Sequence, residues 1–141
     1  MRIALASDHA GFSLKEKLRR KLEAERHQII DCGNFNDERS DYPDWGRKAA
    51  EEVASSRADR AIVVGGSGIG MCIVANKVQG VRAAVLRDEE DARLSREHND
   101  ANVACLGERV TDDVTAIRLV DLFLKTPFSG GRHESRVAKI E

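Results

Sequence analysis

The chain is 141 residues long, within the ~100–200 residues of one domain, so a second domain is excluded. Lysine plus arginine number 23 against 24 aspartate plus glutamate, a net charge of -1, which leaves no basic surplus to grip a nucleic-acid backbone. With 41% hydrophobic residues, 33% charged residues and 2 prolines, the composition is that of a globular protein rather than a disordered one.

The apolar stretches at 61–64 and 81–86 are cut by charge or glycine far short of the ~18 residues of a membrane span. The run 3–6, between Arg2 and Ser7, is too short for the centre of a secretory signal, so the reading is a cytoplasmic protein with no membrane partner. Cys32, Cys72 and Cys105 are odd in number and form no C-x-x-C pair. They read as buried thiols in a reducing compartment.

Short β-branched runs alternate with longer charged segments of helical period, the pattern of a parallel sheet covered by helices. Strands are predicted at 2–6, 28–32, 60–64, 82–86 and 102–106. The first helix, 12–25, places Leu14, Leu18 and Leu22 on one face, with Lys15, Lys17, Arg19, Arg20 and Lys21 on a solvated one. Glu16, Glu23 and Glu25 dilute that run as a nucleic-acid surface. Pro43 suits the first turn of a second helix, a third begins in the glycine loop ending at Gly70, and a fourth covers 88–97. Thr111 is expected to cap a fifth, with Val114, Ile117, Leu119, Val120 and Phe123 toward the core. A short basic segment, 132–140, follows. The whole is a single doubly wound, Rossmann-like α/β domain: five parallel strands with helices on both faces.

Ligands of such folds bind beyond the carboxyl ends of the strands. After the third strand comes Gly65-Gly66-Ser67-Gly68-Ile69-Gly70, where backbone N–H groups can converge on an anion. Met71-Cys72 stands where a Walker loop needs Lys and Ser/Thr, and the dinucleotide fingerprint G-x-G-x-x-G is not met. The first strand ends in Ser7-Asp8-His9, a carboxylate and an imidazole that suit polyol hydroxyls or a phosphate, or a helix cap. His98-Asn99 closes the fourth helix, where a histidine can simply cap the C-terminus. Arg132 and Arg136, four apart after Gly130-Gly131, suit a phosphate dianion or form a surface charge cluster. The four histidines lack metal-ligand spacing, and metal-assisted catalysis is not indicated. An anion cradle, an imidazole, a carboxylate and an arginine pair together describe a sugar-phosphate site.

Asp8-His9-Ala10-Gly11, the run from Glu38 to Pro43, Gly66 to Gly70, Ala75-Asn76-Lys77, His98-Asn99, Gly107 to Val110 and Gly130 to His133 occur in this order along the whole chain. By them the chain resembles the ribose-5-phosphate isomerase type B family, which includes galactose-6-phosphate isomerase subunits. The resemblance implies cofactor-free interconversion of ribose 5-phosphate and ribulose 5-phosphate through a cis-enediolate, with His98 opening the sugar ring. It carries over Asp8, His9, Tyr42, Gly66, Ser67, Gly68, Ile69, Gly70, Asn99, Arg109, Arg132 and Arg136 as substrate contacts, the last two holding the phosphate. It also implies homodimers, sometimes paired into tetramers, whose sites borrow residues across the interface.

Many members of the family carry a cysteine base just before the glycine loop, where this chain has Gly65. A second branch, with Gly-Gly-Ser-Gly, takes its base from a glutamate after the last loop glycine, where this chain has Met71. The binding apparatus therefore stands without the family's usual base. Cys72 lies one helical position from the glutamate site, rotated ~100° from it, and reads as a core thiol; Asp8 is expected to hold hydroxyls. The reading is an isomerase of a phosphorylated sugar using another base, with Ser67 adding a hydroxyl. The alternatives are an isomerase of a related sugar phosphate, or a weakly active or inactive sugar-phosphate binder.

Overall fold

The computed structural model describes residues 1–141. Its elements in chain order are β1 (Arg2–Ser7), α1 (Phe12–Ala24), β2 (Gln28–Asp31), α2 (Tyr42–Ala54), β3 (Arg60–Gly65), α3 (Ile69–Asn76), β4 (Ala83–Val85), α4 (Glu89–Asn99), β5 (Val103–Gly107), α5 (Asp113–Lys125) and α6 (His133–Ala138). The five strands pair in parallel in the order β2-β1-β3-β5-β4. The order reverses at β1, so β1 and β3 flank the switch point of the sheet, where such folds hold their ligands. The predicted fold class is the observed one.

Alternating strand residues build two cores. Ile3, Leu5, Ile62, Val64, Ala104 and Leu106 face α1, α4 and α5, where Leu14, Leu18, Leu22, Leu119 and Phe123 are buried. Each such aliphatic or aromatic side chain contributes ~1.5–3 kcal/mol. Ala4, Ala6, Ala61, Val63, Val103 and Cys105 face α2 and α3. The side chains there are smaller, and the helices sit close: a β-carbon on Gly46 of α2 would lie 2.8 Å from Met71 Sδ of α3.

Four expectations need correction. Asp112, not Thr111, caps α5, its carboxylate accepting the Thr115 N–H at 2.9 Å. Val114 is 71% exposed, because the buried stripe of α5 runs through Ala116, Leu119, Val120 and Phe123, and a residue two positions before Ala116 points ~200° away. Lys15 is not on a solvated face: it is fully buried, its ammonium bonded to Asp31 Oδ1 at 2.8 Å and to the Asn34 carbonyl at 2.6 Å. Of the three thiols only Cys105 is buried; Cys32 and Cys72 are half-buried.

Candidate active site

The carboxyl ends of β1 and β3 bring one group of the sequence-predicted residues together. Asp8, just past β1, is 8% exposed; its Oδ1 accepts the Gly11 N–H at 3.0 Å, capping the approach to α1. Oδ2 makes no hydrogen bond within the chain. His9 Nδ1 accepts the Ser40 N–H at 3.2 Å. An imidazole that accepts at Nδ1 carries its proton on Nε2, so His9 offers the site a donor.

The loop between β3 and α3 is held by backbone bonds from the next loop: Glu108 N–H to the Gly65 carbonyl at 2.9 Å, and Arg109 N–H to the Gly66 carbonyl at 3.0 Å. Ser67 Oγ accepts the Ile69 N–H at 3.2 Å, while the next N–H groups of α3's first turn have no partner inside the helix. Gly68 has φ +82° and faces the Leu106 carbonyl, and a β-carbon on Gly70 would lie 2.6 Å from the Tyr42 ring. Both positions exclude larger residues. Arg109 lies across Gly66, its Nη1 3.0 Å from where a β-carbon would stand. Gly65 differs from these: a β-carbon there would meet Met71 Cγ at 3.5 Å, Gly68 N at 3.7 Å and Asp8 Oδ2 at 4.0 Å, all ordinary contacts. Nothing in the backbone requires glycine at 65.

His98, Asn99, Arg132 and Arg136 are elsewhere. Helix α4 begins above the carboxyl end of β4 and runs back for 11 residues, ~16 Å at 1.5 Å per residue. Its end lies at the amino edge of the sheet, where the Asn99 carbonyl accepts from Arg82 Nε at 3.0 Å, just before β4. The Gly130-Gly131 turn, both residues at positive φ, is tied to that helix end by Ser129 N–H to the Glu97 carbonyl at 3.1 Å. It delivers α6 so that His133 stacks on His98, ring centroids 4.3 Å apart and planes at 16°. Burial, His98 and the guanidiniums of Arg132 and Arg136 hold the His133 imidazole below its usual range. Within one chain the predicted residues thus fall into two groups, at opposite edges of the sheet.

Sequence reasoning missed the supports. Lys15, through Asn34, anchors the segment whose Ser40 grips His9, with Asn34 Nδ2 also donating to Ser40 Oγ at 2.9 Å. Glu108 accepts the Leu14 N–H at 2.6 Å, fixing the start of α1. The sequence position of Cys72 predicts a core thiol. Its Sγ instead lies 3.5 Å from the Ala83 carbonyl, and Cys105, the Val85 N–H and Asn76 bring its pKa down to about 7. It faces β4, away from Gly65.

A doubly wound sheet with a glycine anion loop at its switch point, beside a carboxylate and an imidazole and without a nucleotide fingerprint, defines an α/β enzyme of the sugar-phosphate isomerase class. Residues 3–140 match the ribose/galactose isomerase family, and the chain belongs to it. It is 40% identical over 139 residues to ribose-5-phosphate isomerase B of Escherichia coli strain K12, covering 99% of this chain and 93% of that protein. The solved structure of Clostridium thermocellum ribose-5-phosphate isomerase B superposes with a TM-score of 0.98 at 49% identity, covering 99% of this chain and 95% of that one. The structure of ribose-5-phosphate isomerase B from Mycoplasma genitalium with bound ribulose-5-phosphate superposes with a TM-score of 0.93 at 42% identity, covering 99% of this chain and 93% of that one.

Proposed function

We propose that this chain interconverts ribose 5-phosphate and ribulose 5-phosphate, as a homodimer in which each site joins the carboxyl-edge half of one protomer to the amino-edge half of the other. The observation that carries this reading is the separation of the two half-sites, each chemically incomplete alone. A two-fold axis supplies both halves twice over, since an isologous interface presents the same surfaces reciprocally. Ile69 and Ile73 on α3 and Val110 beyond β5, each more than half exposed, form the apolar surface for such an interface.

In this reading Arg132 and Arg136 grip the phosphate by charge-assisted bonds, and His98 of the same half protonates the ring oxygen to open the sugar. On the opposite half Asp8 faces the sugar and His9 and Tyr42 orient its hydroxyls, with Asn99 reaching in from the half that carries His98. The N–H groups of Gly66 to Gly70, with Ser67 and Arg109, stabilise the enediolate oxygen as its charge develops.

The test is turnover of ribose 5-phosphate in the presence of a chelator, run beside a calorimetric titration with the same sugar phosphate. Turnover supports the isomerase reading; binding without turnover leaves a sugar-phosphate binder, which the absence of an acid–base side chain at Gly65 and Met71 would then explain.

A further inference from the structure

Moving a proton between adjacent carbons requires an acceptor poised over them, and neither Gly65 nor Met71 can serve. We propose that Asp8 is that acceptor and works through Oδ2; the assignment rests on the isomerase reading above. The two carboxylate oxygens have separate employments. Oδ1 is held by the Gly11 N–H, which fixes the plane of the group, and Oδ2 is unpaired within the chain and borders the space in front of Gly65, 4.0 Å from where a β-carbon would stand. A side chain at 65 would occupy that space. Glycine there leaves the carboxylate open to it.

The neighbouring groups are unsuited. His9 spends Nδ1 on the Ser40 N–H, so its Nε2 is a donor. Ser67 Oγ accepts from Ile69 and has no adjacent base to activate it. Cys72 Sγ is turned to the Ala83 carbonyl on the β4 side of α3, and Met71, buried between α2 and β3, has no acid–base function.

In the open-chain aldose, Asp8 Oδ2 takes the proton from C2. The C2–H electron pair becomes the C1=C2 bond, and the carbonyl π pair moves onto O1, where the loop N–H groups receive the charge. The O2 hydroxyl proton passes to O1. As O2 re-forms a carbonyl with C2, the Asp8 carboxyl returns its proton to C1. The proton lost at C2 is regained at C1, and no redox partner is needed.

The experiment compares the unmodified chain, Asp8→Asn and Asp8→Asn/Gly65→Cys. Asparagine keeps an oxygen for the Gly11 N–H and removes the proton acceptor. Expected for Asp8→Asn are a fall in kcat of ~10²–10⁴-fold, affinity for ribose 5-phosphate by calorimetry within a few-fold, and loss of solvent deuterium incorporation into C1 of the product in D₂O. The added cysteine, placed where the space exists, is expected to restore at least ~10-fold of the loss, as its thiolate takes over. Retention of turnover in Asp8→Asn overturns the assignment, as does a double variant that binds the sugar phosphate and is no faster than the single one. An unmodified chain that binds without turnover overturns the isomerase reading as well, which separates the two failures.

Discussion

His133 is clamped face to face on His98, centroids 4.3 Å apart, and its own titration is set by what surrounds it. Burial comes first, then His98, Arg132 and Arg136, and all four lower its pKa. A histidine with a lowered folded-state pKa binds fewer protons folded than unfolded, so stability rises with pH across the window from its folded pKa to the ordinary ~6.5. Acidification below neutrality therefore destabilises the fold through this group. His133→Phe keeps a ring on His98 and removes the titration; thermal melts between pH 7 and pH 5 should show a shallower fall in Tm than the unmodified chain. An unchanged slope would place the acid sensitivity elsewhere.

Lys15 is a second buried charge, and it ties α1 to β2 and to the segment that holds His9. Its side chain is 0% exposed, that of Asp31 26%. Breaking such a pair from one side leaves a carboxylate and the Asn34 carbonyl without their cation, a loss of ~3–5 kcal/mol for buried pairs, with the lower end apt here because Asp31 is partly solvated. Lys15→Met should lower the urea midpoint accordingly. It should also raise KM more than it changes kcat, because Ser40 is no longer braced against His9.

The strands were legible because buried parallel strands read as short apolar runs between turns, and the glycine loop because Gly68 and Gly70 are fixed by the close approach of Leu106 and Tyr42. Lys15 was not legible, since its partners lie 16 and 19 residues away and its neighbours in sequence are those of an ordinary charged helix face. Asp112 and Thr111 are both good caps in adjacent positions, and only the backbone decides between them. The order of motifs along the chain also says nothing about sheet edges. That His98 and Asp8 lie at opposite ends follows from the antiparallel return of α4, which only the fold makes visible.

Cys72 should be the reactive thiol. With its pKa near 7, against about 11 for Cys32 and a Cys105 thiol that burial pushes well above its ordinary value, its alkylation by iodoacetamide should climb as pH rises through 7, and peptide mapping should find the label there first. Cys72→Ser should abolish that fast phase and leave turnover of ribose 5-phosphate within ~2-fold, because a thiol facing β4 is outside the proton-transfer path. A large loss in this variant would assign the thiol a role at the site.

Glycine is needed at some loop positions and not at others. Gly65→Ala adds a β-carbon with no contact below 3.5 Å and should change stability by less than ~1 kcal/mol. Gly68→Ala must hold φ +82° against the Leu106 backbone and should lose ~1–3 kcal/mol. Gly70→Ala drives into the Tyr42 ring and should weaken ribose 5-phosphate binding by displacing that ring. Chemical denaturation of the three variants, with calorimetry on the last, orders them.

If each site combines halves from two protomers, inactive variants of opposite halves must complement. Asp8→Asn spoils the carboxyl-edge half and leaves His98 intact; His98→Asn does the reverse. In a mixed dimer one site carries both lesions and the other carries neither. Random reassortment makes half the dimers mixed, so an equimolar mixture, unfolded and refolded together, should recover about one quarter of the unmodified activity. Each variant refolded alone should recover almost none. Sites built within single chains would give no recovery at any mixing ratio, and the separation of His98 from Asp8 across the sheet would then need a different fold of the α4 and α6 ends to explain turnover.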